Sequence, residues 1–348
     1  MNPHIIMVFL LSLGLGTTLT FASSHWLLAW MGLEINTLAI LPLMAQHHHP
    51  RAVEAATKYF LAQAAAAATI LFASMMNAWM SGEWAINSLS HQPSIALITV
   101  ALALKLGLAP MHFWMPPVLQ GLDLTTGLIL STWQKLAPFA LLIQIAPLTD
   151  PMLLTSLGLL STLTGGWGGL NQTQLRKIMA YSSIAHLGWM IIILQLAPQL
   201  TIITLIIYII MTSTVFLTFK HLTTTKINTL TQAWSKTPII AATTTLALLS
   251  LGGLPPLTGF MPKWLILQEL AKQQLPMTAT IIALSTLLSL YFYLRLSYAT
   301  ALTISPSTNS STTPWRLSNT QNTLPLTIFS IMTIMLLPIT PTIQAMLS

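Results

Sequence analysis

The chain has 348 residues, of which 54% are hydrophobic and only 5% are charged, against roughly 25% charged in an ordinary soluble domain. This composition excludes a soluble globular protein and predicts an all-α polytopic membrane protein. The absence of cysteine excludes disulfides and thiolate-bound clusters, and a net charge of +7 from 13 basic and 6 acidic residues is too dispersed for a nucleic-acid partner.

Apolar runs separated by proline, glycine and polar residues predict about eleven transmembrane helices. The expected helices cover residues 4–21, 25–45, 55–79, 94–120, 123–147, 151–170, 175–195, 200–220, 238–271, 277–301 and 323–346. The fourth helix carries glycine and proline residues at 107–117, and the ninth carries them at 252–262. Proline interrupts helical hydrogen bonding, so both helices are expected to be broken.

Basic residues outside the spans indicate the orientation of the chain. Alternate loops lie on the same side of the membrane, and one such set of loops contains Arg51, Arg176, Lys177, Lys220, Lys226, Lys236 and Arg316. Lys272 lies in a loop on the opposite side. Because basic loops stay on the cytoplasm-like or matrix-like side, the N-terminus is expected inside and the C-terminus outside.

The two broken helices have similar sequences. GLAPMHFWMP at 107–116 aligns without gaps to GLPPLTGFMP at 253–262, an offset of 146 residues that spans five helices. Five crossings reverse the direction, so we expect inverted five-helix repeats at 1–148 and 149–301, followed by a polar loop and a last helix at 302–348. Paired broken helices in inverted repeats are typical of ion-coupled transporters.

Four ionisable residues lie well inside predicted spans: Glu34, Lys105, Lys135 and Lys263. A charge at this depth is costly and therefore marks a functional site by default. Lysine can exchange a proton when it is buried, whereas arginine cannot, so the lysines are candidates for a proton relay. Glu34 is expected to form a breakable ion pair with Lys105 that acts as a switch.

Histidines supply weaker candidates. His112 lies inside the first break and His186 in the middle of the seventh predicted helix, where each is either an auxiliary proton carrier or a hydrogen-bonded packing residue. The run at 47–49 lacks acidic companions and is interpreted as a solvated loop, so no metal site is expected. The Gly-rich segment GGWGGLNQT at 165–173 lacks a phosphate-loop ending and predicts close helix packing.

Several segments resemble the antiporter-like membrane subunits of mitochondrial respiratory complex I, NADH:ubiquinone oxidoreductase. These are WMGLEINTLAILPLMA, EAATKYFLAQAAAA, KLGLAPMHFWMPPVLQG, STWQKLAP, GGLNQTQLRKIMAYSSIAHLGW and GGLPPLTGFMPKW. The resemblance places the relay residues of that family on Glu34, Lys105, Lys135 and Lys263. It implies an inner-membrane location, neighbouring antiporter-like subunits and lipids as partners, and no cofactor in this chain, since NADH, FMN, iron–sulfur clusters and ubiquinone act elsewhere in the complex.

The leading hypothesis is therefore a proton-translocating subunit that carries no redox chemistry of its own. Protons would enter from the matrix side and pass along Lys105, Lys135 and Lys263. One alternative is a self-contained cation/proton antiporter. A single deep carboxylate beside several lysines is poorly suited to bind a metal cation, which weakens this alternative. The other is a structural subunit needed only for assembly.

Overall fold

The computed structural model describes residues 3–46, 49–301 and 323–347, and these are folded mainly into α-helices. Among these described residues, six helical segments are long and apolar enough to cross a membrane: Pro3–Ala22, Trp26–Met44, Pro50–Ser81, Leu124–Leu148, Pro198–Leu222 and Pro276–Ala301. The predicted all-α membrane class is confirmed. His47, His48 and the polar loop at 302–322 lie outside the described residues.

The chain divides into two compact units, residues 1–161 and 162–348. The first unit contains helices α1 (Pro3–Ala22), α2 (Trp26–Met44), α3 (Pro50–Ser81), α4 (Gln92–Leu106), α5 (Met115–Gly121), α6 (Leu124–Ser131) and α7 (Trp133–Ile145). Helix α8 (Pro151–Gly169) begins in the first unit and ends in the second.

Helices α1 and α2 approach closely through glycine. A Cβ atom on Gly16 would lie 2.9 Å from the carbonyl oxygen of Gly32, and one on Gly32 would lie 2.8 Å from that of Gly16. Small residues permit such contact between membrane helices, where van der Waals packing drives association. The contact brings the side chain of Asn36 on α2 against α1.

The first break separates α4 from α5. Gly107 ends α4 in the left-handed conformation, with φ of 80°, and its N–H donates to the Ala103 carbonyl at 2.9 Å. The N–H of Leu108 donates to the same carbonyl at 2.9 Å. Glycine adopts a positive φ without a Cβ penalty, so the chain turns here inside the apolar layer.

Within the described residues, the second unit contains the end of α8 and eight further helices. These are α9 (Leu175–Ile193), α10 (Pro198–Leu222), α11 (Ile227–Lys236), α12 (Pro238–Gly252), α13 (Phe260–Lys272), α14 (Pro276–Ala301) and α15 (Leu324–Met335), with α16 (Thr340–Leu347) after a short 3₁₀ turn at Leu337–Ile339.

The glycines of α8 explain how it packs in this unit. A Cβ on Gly165 would lie 2.6 Å from the backbone nitrogen of Ala185 on α9, and one on Gly169 would lie 2.8 Å from the ring of Phe292 on α14. The prediction of close helix packing for the Gly-rich segment is confirmed.

The second break repeats the local geometry of the first. Gly253 ends α12 with φ of 79°, and the N–H of Leu254 donates to the Leu249 carbonyl at 3.3 Å. The peptide bonds Ala109–Pro110 and Pro255–Pro256 are both cis. The fourth and ninth predicted helices are thus broken where their proline and glycine residues indicated.

Three elements differ from the sequence prediction. Helix α11 lies in what was expected to be a loop. At its N-terminus the Thr229 hydroxyl accepts from the Lys226 N–H at 3.2 Å and donates to the Lys226 carbonyl at 2.8 Å, and the helix buries Leu230 and Ala233 at helical spacing. The last predicted helix, 323–346, is divided between α15 and α16 at a proline-containing turn.

The fifth predicted helix, 123–147, is interrupted at Thr132, between α6 and α7. The Thr132 hydroxyl donates to the Leu128 carbonyl at 2.7 Å, and back-bonding of this kind bends helices. Pro138 has no N–H for the Gln134 carbonyl, which weakens the next turn. The interruption lies three residues before Lys135.

Candidate functional site

A small internal cavity lies in the first unit between α2, α3, α4, α5 and α7. It offers about 20 Å³ of space for the centre of a water molecule, and its polar lining includes Asn36, Tyr59, Gln63, Lys105, Gln134 and Lys135. Since about 10–15 Å³ of such space accommodates one water, the cavity has room for one or two.

Lys105 is placed in this cavity by the last turn of α4. Its side chain is only 6% exposed, and its ammonium nitrogen has no hydrogen-bond partner among the described residues. The C-terminal end of a helix carries partial negative charge, which favours a cation. Gln63 donates to the Lys105 carbonyl at 3.4 Å, and Trp114 Nε1 donates to the Leu104 carbonyl at 3.0 Å, which fixes the end of α4.

Lys135 reaches the same cavity from the first turn of α7, directly after the interruption at Thr132. Its side chain is 3% exposed. Two of the four sequence-predicted charges therefore line one cavity, although they lie on different helices. Two buried ammonium groups cannot both be charged there without mutual repulsion, so this arrangement suits groups that exchange a proton.

Glu34 is half-buried on α2, and its carboxylate accepts a hydrogen bond from the Thr37 hydroxyl at 3.2 Å. Thr37 itself lines the cavity. The carboxylate acts electrostatically on Lys105 and on Tyr59. It forms no ion pair within 4.0 Å, because the pairs of that kind among the described residues are Lys58–Glu54 and Lys272–Glu269. The expected Glu34–Lys105 pair is open in this structure.

His112 lies in the loop between α4 and α5 and is not among the residues that line the cavity. Its ring stacks on Phe113 with centroids 4.5 Å apart. The structure therefore places His112 inside the first break, as its position in the sequence indicated, but outside the lining of the cavity that holds the two lysines.

Lys263 lies in the second unit, on the first turn of α13. Its ammonium donates to the carbonyl of Gly252, the last residue of α12, at 2.7 Å. A Cβ on Gly253 would lie 2.8 Å from both Cδ and Nζ of Lys263. Lys263 thus caps the negative C-terminal end of α12. Gly253, which has no side chain, leaves the space that the lysine side chain occupies.

His186 on α9 faces Tyr208 on α10, with ring centroids 5.7 Å apart. Tyr208 is buried and hydrogen-bonds the side chain of Ser183 on α9. His186 therefore lies beside a buried tyrosine, Tyr208, which is hydrogen-bonded to Ser183 inside the second unit.

Four residues of the cavity lining were not predicted as site residues from the sequence: Asn36, Tyr59, Gln63 and Gln134. A signal was present, because amide and phenol groups in apolar membrane helices need polar partners and therefore mark internal surfaces. In the described ranges, no group of three or more His, Asp or Glu side chains is arranged to hold a metal ion.

The chain is similar to proteins of a known membrane family. Residues 23–289 match the profile of the NADH:quinone oxidoreductase/Mrp antiporter transmembrane family, and residues 290–344 match that of the NADH dehydrogenase subunit 2 C-terminus. The chain is 73% identical over 346 residues to NADH-ubiquinone oxidoreductase chain 2 of Formosania lacustris, covering 99% of both chains.

Two solved structures share the fold. A chain of respiratory complex I from Thermus thermophilus is 27% identical with a TM-score of 0.89, and the match covers 100% of this chain and 81% of that one. A chain of the Mrp complex from Dietzia sp. DQ12-45-1b, 14% identical, has a TM-score of 0.81 with 97% and 76% covered.

Proposed function

The chain belongs to the NADH:quinone oxidoreductase/Mrp antiporter transmembrane family, as an antiporter-like subunit of respiratory complex I, and we propose that its buried lysines and Glu34 carry translocated protons. It is a multi-pass inner-membrane protein and a subunit of the enzyme NADH:ubiquinone oxidoreductase. We propose that oxidation of NADH and reduction of ubiquinone take place on other chains of the complex and that this chain binds no cofactor.

The observation that carries the proposal is the cavity shared by Lys105 and Lys135. Replacing a buried ion by a well-packed apolar residue is often neutral or stabilising, so stability alone gives no reason for two lysines there. A lysine can lose and regain a proton on burial, and a hydrated space between two of them allows the proton to move.

Glu34 supplies the electrostatic control. A carboxylate stabilises a nearby ammonium, so a shift of Glu34 away from the cavity would favour loss of the proton from Lys105 to the neighbouring carrier. The open geometry, with Thr37 holding the carboxylate, is one position of this switch. Moving one charge outward against about 100 mV costs about 2.3 kcal/mol, which the rest of the complex must supply.

The second unit provides a second half of the relay. Lys263 carries the charge there, and His186 with its partner Tyr208 is an auxiliary carrier. We also propose that His112, at the first break, is an auxiliary proton carrier.

The proposed architecture has about eleven spans, with inverted repeats at 1–148 and 149–301 and an appended helix within 302–348. The similar geometry of the two glycine turns, at Gly107 and Gly253, supports it. The asymmetry of basic loops supports an N-terminus on the matrix side. Neighbouring antiporter-like subunits and membrane lipids are the proposed partners.

The test is Lys135→Met in a homologous complex that can be mutated, reconstituted in vesicles. We expect normal assembly, because methionine has a similar length and no charge, and a fall of about tenfold or more in protons pumped per NADH or in coupled turnover. Lys58→Met is the matched control, since Lys58 is exposed and paired with Glu54.

Unchanged pumping and turnover in an assembled Lys135→Met complex would contradict the relay and favour the purely structural alternative. Pumping that depends on sodium rather than on NADH oxidation would favour the self-contained antiporter.

A further inference from the structure

Tyr59 on α3 is a buried residue whose hydroxyl is not used to hold helices together. Its side chain is 2% exposed, and it lines the cavity that also contains Lys105 and Lys135. Within the described ranges no hydrogen bond reaches its hydroxyl, whereas the buried Tyr208 of the second unit is hydrogen-bonded to Ser183. A buried phenol usually has a hydrogen-bond partner, so Tyr59 needs one inside the cavity.

The ring of Tyr59 is held by Trp114, the residue before α5. The two rings pack edge to face, with centroids 5.6 Å apart. Trp114 Nε1 also donates to the Leu104 carbonyl at the end of α4, at 3.0 Å. The aromatic contact therefore fixes Tyr59 against the same helix end that carries Lys105.

Glu34 faces Tyr59 across the contact between α2 and α3. One turn before Glu34, Trp30 Nε1 donates to the Ala67 carbonyl on α3 at 3.1 Å, so this side of α2 lies against α3. The two helices are consecutive and antiparallel, so the direction from Trp30 to Glu34 runs toward the N-terminal half of α3, where Tyr59 lies. The electrostatic action of the Glu34 carboxylate on Tyr59 agrees with this placement.

The Glu34 carboxylate has a second donor within the cavity besides the one it uses. It accepts from the Thr37 hydroxyl at 3.2 Å, and Thr37 lines the cavity as Tyr59 does. A glutamate side chain has several rotamers, so the carboxylate can leave Thr37 without movement of the backbone. The two groups on which it acts are the Tyr59 hydroxyl and the Lys105 ammonium, whose nitrogen has no partner among the described residues.

We propose that Tyr59 is a positioning residue whose hydroxyl donates a hydrogen bond to the Glu34 carboxylate and holds it beside Lys105. This is the closed position of the switch, in which the ammonium keeps its proton, and Thr37 holds the carboxylate in the open position. Tyr59 keeps its own proton throughout, because only the hydrogen bond to Glu34 forms and breaks. The inference rests on the proposed proton relay and adds to it the group that stabilises the closed position.

The decisive variant is Tyr59→Phe in a homologous complex that has the same side chains. Phenylalanine keeps the ring and its contact with Trp114 and removes only the hydroxyl, so a structural role alone predicts unchanged pumping and an unchanged pH profile. We expect normal assembly with pumping per NADH or coupled turnover lower by about tenfold, the factor expected for loss of one hydrogen bond to a charged group.

The pH profile of turnover reports the position of the carboxylate. The titratable groups around Tyr59 and Lys105 are Glu34 on α2 and Lys135 on α7. Without the Tyr59 hydroxyl the carboxylate stays away from Lys105, so the ammonium loses its proton more easily. We expect the profile of Tyr59→Phe to move to lower pH by about one unit, the equivalent of a tenfold change.

Thr37→Val is the opposing variant. Valine has nearly the same shape as threonine and removes the hydroxyl that holds the carboxylate in the open position. The carboxylate then stays beside Lys105, so we expect the pH profile to move to higher pH, opposite to that of Tyr59→Phe. A loss of packing in both variants would not produce shifts of opposite sign.

Two further variants test whether Tyr59 acts through Glu34. In a Glu34→Gln background, which lacks the charge, Tyr59→Phe should neither lower turnover further nor move the pH profile. Tyr298→Phe is the matched control, since Tyr298 is exposed on α14 and should leave pumping and the pH profile unchanged.

Full pumping with an unchanged pH profile in an assembled Tyr59→Phe complex would overturn the inference. If Lys135→Met also pumped normally, the proposed function itself would fail; if only Lys135→Met were impaired, the function would stand without Tyr59. Where a variant does not assemble, high-resolution maps of the unsubstituted complex at rest and in turnover decide. A Glu34 carboxylate within hydrogen-bond distance of the Tyr59 hydroxyl in one state supports the inference, and a carboxylate that stays on Thr37 in every state refutes it.

Discussion

Replacing Gly253 by alanine tests whether the end of α12 holds Lys263. Gly253 has φ of 79°, and its new Cβ would lie 2.8 Å from Nζ of Lys263. A left-handed conformation costs a non-glycine residue about 1–2 kcal/mol. Loss of the hydrogen bond between the ammonium and the Gly252 carbonyl adds about 1.5 kcal/mol, the lower end for a charged group because Lys263 is half-buried. We expect a total destabilisation of about 3 kcal/mol.

Gly107→Ala separates the two contributions. Gly107 has φ of 80°, so it carries the same backbone penalty. Its Cβ would meet the flexible side chain of Met115 at 3.3 Å and no lysine among its nearest neighbours. We therefore expect a loss of about 1–2 kcal/mol from backbone strain alone.

The assay is denaturant unfolding of the purified complex in detergent, combined with a double-mutant cycle between Gly253→Ala and Lys263→Met. If the alanine displaces the ammonium, the two changes should not add, with a coupling of about 1.5 kcal/mol. Additivity within about 0.5 kcal/mol, or equal losses for the alanine variants at 107 and 253, would refute the reasoning.

Two further predictions concern a contact between two helices and a hydrogen bond to α15. Gly16→Ala should destabilise the α1–α2 contact by about 1–3 kcal/mol through overpacking, whereas Gly14→Ala, with nothing within 4 Å of its Cβ, should be neutral or stabilising in the same unfolding assay. Thr258→Val removes the hydroxyl that donates to the Thr333 carbonyl at 2.8 Å, and should raise the proteolytic sensitivity of α15 at a cost of about 1 kcal/mol; Thr327→Val, whose exposed hydroxyl bonds within its own helix, should not.

The sequence located the two helix breaks because their causes are local. Glycine supplies a positive φ and proline removes a backbone donor wherever they occur, so 107–117 and 252–262 could be identified without any neighbour. Helix α11 was missed because its apolar positions, Leu230 and Ala233, are too few to predict a transmembrane helix, and its polar face resembles a loop. The interruption at Thr132 was missed because Thr is common in intact membrane helices.

The site was predictable only in part. Charged residues in apolar helices are visible by their cost, which identified Glu34, Lys105, Lys135 and Lys263 as candidates. Neutral polar residues such as Asn36 and Gln63 carry a smaller cost and were not distinguished from the other amides. Whether an amide is satisfied depends on partners from other helices, which local sequence does not show.

The sequence by itself determined the membrane class, the broken helices, the family resemblance and the charged candidates, because composition, backbone chemistry and the cost of a buried charge act at single positions. Only the tertiary structure decided that Lys105 and Lys135 line one cavity, that Glu34 stands apart from Lys105, and that Lys263 caps α12. The physical reason is that these relations depend on how helices pack, and packing is set by contacts such as Gly16 with Gly32, between residues distant in the chain.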